Sequence, residues 1–67
     1  MKIILNNTPE TFLPDTMSIS GLLKLKNFTF KMLVIKVNGK LIQKTEYDSF
    51  MIHAGDEVMV LHLISGG

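Results

Sequence analysis

Two glycines, Gly66 and Gly67, end the sequence with a free α-carboxylate, and they follow a strand-forming run, Val58-Met59-Val60-Leu61-His62-Leu63-Ile64, with only Ser65 between. Glycine has no Cβ, so such an end threads channels too narrow for other residues and takes backbone angles that they avoid. A strand that abuts the glycines without a linker predicts an anchored acid held clear of the fold. Gly67 is therefore the group on which chemistry is expected, and Ile64, Ser65 and Gly66 form the slim tail that presents it. Frayed or inert chain ends also carry glycines, and that reading stays open at this point.

Other constellations offer less. His53 and His62 lack a helical i, i+4 relation and there is no cysteine to join them, so no metal site is expected. His62 reads instead as a hydrogen-bonded or solvated structural residue near a strand end. Asp56 and Glu57 resemble a catalytic carboxylate pair, but neighbours on a strand point to opposite faces, and a turn aspartate accounts for the first. Without cysteine there is no disulfide and no thiol catalysis. Phosphate-binding glycine loops and nucleophile elbows are missing too. No catalytic residue and no bound cofactor are expected; other enzymes would act on this chain.

At 67 residues the chain is a single domain, 1–67, near the size at which one core just suffices. Seven lysines without arginine, against six acids, give a net charge of +1, and the lysines are scattered. Nucleic-acid binding calls for a clustered basic face, so that partner is not expected. The apolar runs over residues 32–35 and 58–61 are too short to span a bilayer, and the start lacks a secretory apolar core. Together with the absence of cysteine, this places the protein in the cytoplasm and away from membranes.

What must position the tail follows from periodicity. Residues 2–6 read as a strand, residues 7–9 as a break, and residues 10–13 as its returning partner, closed by Pro14-Asp15-Thr16. Ser18 is an N-cap candidate for a helix from Ile19, with Ile19, Leu22 and Leu23 on one stripe. Gly21 weakens it, and Lys26 occupies the next stripe position, so the helix turns or ends after Leu25. Phe28 and Phe30 plug the end of the core. Residues 32–37 form a strand, Asn38-Gly39 is a type I′ hairpin turn, and residues 41–43 return. Residues 45–50 are turn-like, and His53-Ala54-Gly55-Asp56 leads tightly into the last strand.

Two hairpins around one helix, with a late strand laid parallel to the first, predict an α+β roll of the β-grasp, or ubiquitin-like, kind. Its mixed four- to five-stranded sheet packs on one main helix, and the final strand lies in the interior with a flexible tail over 64–67. Alternation assigns Ile3, Leu5, Leu33, Ile35, Val37, Val58 and Val60 to the core with Ile19, Leu22 and Leu23. The opposite face then shows Ile4, Val34, Lys36, Leu41, Met59 and Leu61. A solvated sheet face should be polar, so the apolar members, Ile4, Val34, Leu41, Met59 and Leu61, predict a partner surface. Two alternatives are a parity one residue off, or Tyr47 and Phe50 folded over that face.

Several of these segments together resemble one family. Val37-Asn38-Gly39-Lys40-Leu41-Ile42-Gln43-Lys44, then Ala54-Gly55-Asp56, then Leu63-Ile64-Ser65-Gly66-Gly67, with the Lys2-Ile3-Ile4-Leu5-Asn6 opening, are similar to ThiS, the sulfur carrier of thiamine thiazole biosynthesis. Where that family often has Pro-Arg this chain has Gln43-Lys44, and Tyr47 lies near a usual Trp. The resemblance implies that an E1-like adenylating partner of the ThiF type uses MgATP to activate the Gly67 carboxylate. Sulfur from a persulfide donor then yields a thiocarboxylate, delivered to a ThiG-type thiazole synthase. Related carriers serve molybdopterin synthesis, tRNA thiolation or cysteine synthesis, and ubiquitin-like modifiers use the same ending to form isopeptide bonds.

Overall fold

A computed structural model describes residues 1–29 and 32–63. Its main sheet has five strands: β1 (Lys2–Leu5), β2 (Thr8–Thr11), β4 (Leu33–Val37), β5 (Lys40–Ile42) and β7 (Glu57–His62), in the order β2-β1-β7-β4-β5, with β3 (Thr16–Ser18) and α1 (Ile19–Leu25) between β2 and β4 in the chain. The last strand runs parallel to β1 and antiparallel to β4, as the β-grasp expectation requires. It occupies the centre, where both edges are available for pairing. The helix α1 (Ile19–Leu25) buries Ile19 and Leu22 against the inner sheet face.

The helix ends are fully specified by local chemistry. The Ser18 hydroxyl accepts from the Gly21 amide at 3.0 Å, and a Cβ at Gly21 would stand only 3.3 Å from that oxygen. At the other end Asn27 has φ +57, and the Phe28 amide donates to the Leu23 carbonyl at 2.8 Å while that of Asn27 donates to Lys24 at 3.1 Å. This is a Schellman motif, with Phe28 folded against the core. Lys26, which breaks the apolar stripe, reaches across to Glu10 at 2.7 Å. Both side chains are part-exposed, so the pair adds well under about 1 kcal/mol.

Two features differ from the sequence expectation, while the turn-like reading of residues 45–50 holds. The first turn is Asn6-Asn7, both with positive φ, so Thr8 and Pro9 belong to β2 rather than to the break. Pro9 is tolerated because β2 is an edge strand: the Ile4 amide opposite it is turned away, to Asp56 at 3.0 Å. Thr16 does not close the hairpin but begins β3 (Thr16–Ser18), which pairs with β6 (Met51–His53) as a separate two-stranded sheet. Residues 44–50 hold a 3₁₀ turn, Lys44–Glu46, whose capping box uses Gln43 and Glu46, so the Gln43-Lys44 pair builds a turn of its own.

The core comprises Ile3, Leu5, Phe12, Ile19, Leu22, Ile35, Val37, Ile42, Ile52, Val58 and Val60. Leu23 and Leu33, expected there, are only partly buried and pack on its margin. Phe12, Ile42 and Ile52 were not in the expected set, and each lies in or beside a strand whose bounds differ from the sequence reading. Tyr47 and Phe50 pack against this core and their carbonyls accept the Ser20 and Ile19 amides at 2.9 and 3.2 Å. Their carbonyls therefore cap the helix N-terminus; Tyr47 reaches only a groove at the margin of the outer face, beside Val34 and Leu41, and Leu41 and Leu61 on that face stay exposed. Phe30 lies outside the described residues.

Candidate functional site

The expected working group, Gly67, and the tail residues Ile64, Ser65 and Gly66 lie outside the described residues. What the structure does describe is the base from which they depart. β7 pairs with β4 from Val58 to His62, and beyond its last residue the Leu63 amide still donates to Met32 at 3.0 Å. Val58 and Val60 are buried beneath it, so the strand is held by hydrogen bonds on its edges and by apolar contact on its inner side.

Two asparagines clamp this strand near its start, a role that pattern reading missed. β1 stops at Leu5, yet the Asn6 amide donates to Val58 at 2.9 Å and the Asn6 side-chain oxygen accepts from the Val60 amide at 2.8 Å. An asparagine thus prolongs the parallel ladder while its own backbone turns away with φ +49. On the other edge the Asn38 side chain donates to Asp56 at 3.0 Å and accepts from the Glu57 amide at 2.9 Å. Asp56 also takes the His53 amide at 2.9 Å. The Asn38-Gly39 and Gly55-Asp56 turns are therefore bolted together where β7 begins. The detectable signal was that Asn6 and Asn38 both sit at strand ends where αL conformation is needed.

Replacing Asn6 by Gly separates these two roles, because Gly accepts the positive φ without strain but offers no carbonyl to Val60. The expected cost is about 1–2 kcal/mol, read as a lower urea midpoint. Hydrogen exchange at the Val60 amide should accelerate more than that of the β4 amides.

The outer face follows the expected parity. Ile4, Val34 and Met59 are half-buried, and Leu41 and Leu61 remain 49% and 45% exposed. Val34 faces Leu61 across the β4–β7 pair, and Lys36 lies between Met59 and Leu41. No described element covers these side chains. Next to them Leu63 borders a groove of about 540 Å³ with Met32, Leu33, Leu41 and Tyr47. His62 is exposed rather than part of the core beneath Val58 and Val60. Among the described residues no group of three His, Asp or Glu side chains is placed to hold a metal, and no helix is long and apolar enough to cross a membrane.

The ThiS family profile matches residues 3–67. This chain belongs to the ThiS family. That is a family of small sulfur carriers of thiamine biosynthesis rather than of enzymes. A crystal structure of the thiamine biosynthesis protein ThiS from Geobacter metallireducens is similar to this ThiS-family chain over the whole of both, with a TM-score of 0.87 and 25% identity. A solution structure of a thiamine biosynthesis protein from the same organism matches with a TM-score of 0.78 and 25% identity, over 100% of this chain and 88% of that one. No significant match is found among curated protein sequences.

Proposed function

We propose that this ThiS-family protein carries sulfur as a thiocarboxylate on Gly67 for thiazole formation. A carboxylate resists nucleophiles because it is negatively charged and oxide leaves poorly. An E1-like partner of the ThiF type overcomes this with MgATP: the Gly67 carboxylate attacks the α-phosphate, pyrophosphate leaves, and an acyl-adenylate forms. The terminal sulfur of a persulfide then attacks the carbonyl and expels AMP. Cleavage of the sulfur–sulfur bond by a second thiol leaves the thiocarboxylate, which a ThiG-type synthase consumes. MgATP belongs to the partner; this chain contributes a substrate group and a docking surface and catalyses nothing itself.

The observation that carries this reading is the central strand β7, which ends at His62 a few residues before Gly66-Gly67 in sequence, is paired on both sides and is clamped by Asn6 and Asn38, beside an uncovered apolar face. A fixed root gives the acid a small search volume, and positioning of that kind supplies much of the rate of an in-line displacement. The apolar face, Ile4, Val34, Leu41, Met59 and Leu61, gives the adenylating partner its grip. Mass spectrometry of the protein isolated from its native host tests the reading: a thiocarboxylate on the C-terminal peptide is expected. Adducts to lysines of other proteins, or an unmodified end in cells actively making thiamine, would overturn it. Exchange of oxygen for sulfur shifts the mass almost as methionine oxidation does, and the chain has five methionines. The shift must therefore be localised to Gly67 or trapped by alkylation.

A further inference from the structure

The outer face carries two opposite charges that leave each other alone. Lys36 stands exposed on β4, level with Met59 on β7 and Leu41 on β5. Glu57, also exposed, points to the same face from the start of β7, opposite Ile4. Among the described residues the ion pair within 4 Å is Lys26 with Glu10, and neither Lys36 nor Glu57 has a side-chain partner there. Together with Ile4 and Met59 they border a depression of about 160 Å³. Glu57 precedes Met59 by two positions, so at about 3.3 Å per residue the charges are displaced by about 7 Å along the strand.

An apolar surface attracts without direction, yet this one is useful in one direction only. The partner must receive the domain with the His62 end of β7 facing the nucleotide; a docking turned by half a revolution presents the Glu57 end and is sterile. A positive and a negative group separated along β7 distinguish these two poses. We propose that Lys36 and Glu57 set the docking direction on the adenylating partner, which bears a carboxylate facing Lys36 and a cationic side chain facing Glu57. The inference rests on the docking face proposed above. In the productive pose each charge meets its opposite, and in the reversed pose each meets its like, which is penalised. Affinity then comes from the apolar residues and orientation from the charges.

A charge exchange tests this without altering composition or net charge. In ATP–pyrophosphate exchange with the adenylating enzyme of the same organism, Lys36→Glu and Glu57→Lys should each lower kcat/KM by about tenfold or more, mainly through KM. The double exchange, Lys36→Glu with Glu57→Lys, should be at least as poor as the worse single variant. All three should unfold at the wild-type temperature. Wild-type kcat/KM should fall with salt, whereas the neutral pair Lys36→Met with Glu57→Gln should be nearly insensitive. A double exchange that restores wild-type kcat/KM would mean that only net charge matters and would overturn the proposal. If Leu61→Asp abolishes exchange while the charge swap is harmless, the docking face stands and its directional code falls. If Leu61→Asp is fully active, the face itself is wrong.

Discussion

Leu61→Asp should leave the domain folded and lower kcat/KM for adenylation by about a hundredfold. The side chain is 45% exposed and projects from the middle of the sheet beside Val34, on the side away from α1. A carboxylate there stays hydrated in the free protein, so the stability cost is confined to lost strand propensity and cross-strand contact, about 1 kcal/mol. In the complex the same carboxylate must shed water against apolar surface without a partner. Central contacts of this kind cost about 2–4 kcal/mol when spoiled, which converts to a loss of about 30- to 1,000-fold. Matching denaturation curves with a collapsed kcat/KM is the expected pair of results. Loss of the unfolding transition would instead make Leu61 a core residue, and unchanged kinetics would remove the face from the interaction.

The outward placement of Leu61 is legible in the sequence because the period-two pattern is carried by β1, β4 and β7, with Ile3, Leu5, Ile35, Val37, Val58 and Val60 all turned inward. The paired signals of Asn38-Gly39 and the Ser18 cap also translated directly into structure. What failed was short. β3 and β6 have three residues each, too few for a period to show, and their pairing joins residues far apart in the chain. Ile52, fully buried between exposed neighbours Met51 and His53, is the inward residue of β6, and its partner Met17 on β3 packs against the same core. The first turn went astray for a related reason: Pro9 reads as a breaker unless it is known to lie on an edge.

The acid itself was singled out from residue type alone, but its mooring was not. Nothing in Asn6 announces that its carbonyl will take the Val60 amide, because that bond exists only once β1 and β7 lie in parallel. Asp56 illustrates the same limit. A turn aspartate is expected from composition, yet its two oxygens serve Asn38 and the His53 amide separately, tying the β4–β5 hairpin to the approach of the last strand. Local chemistry names the participants, and tertiary topology decides whom they meet.

Ile35→Ala should be the most damaging single truncation. Ile35 is 0% exposed and stands in the strand between Ile42 on β5 and Val60 on β7. Removing its outer carbons leaves a cavity that neighbours held in a five-stranded ladder cannot collapse to fill. The expected loss is about 3–5 kcal/mol. A chain of 67 residues has only about 3–10 kcal/mol in total at typical stability per residue, so the variant should be poised near unfolding, with its urea midpoint lowered by about 2 M or more. Ile35→Val, which keeps the β-branch, should lose only about 1 kcal/mol. Because β4 backs β7 along its length, the defect reaches function through the folded population rather than through the docking face. Adenylation of Ile35→Ala should therefore approach wild-type kcat/KM once divided by the folded fraction, and recover as an added stabilising osmolyte restores that fraction. A kinetic deficit that persists in fully folded Ile35→Ala would show instead that the core sets the position of the acid, making rigidity of the root a direct contributor to activation.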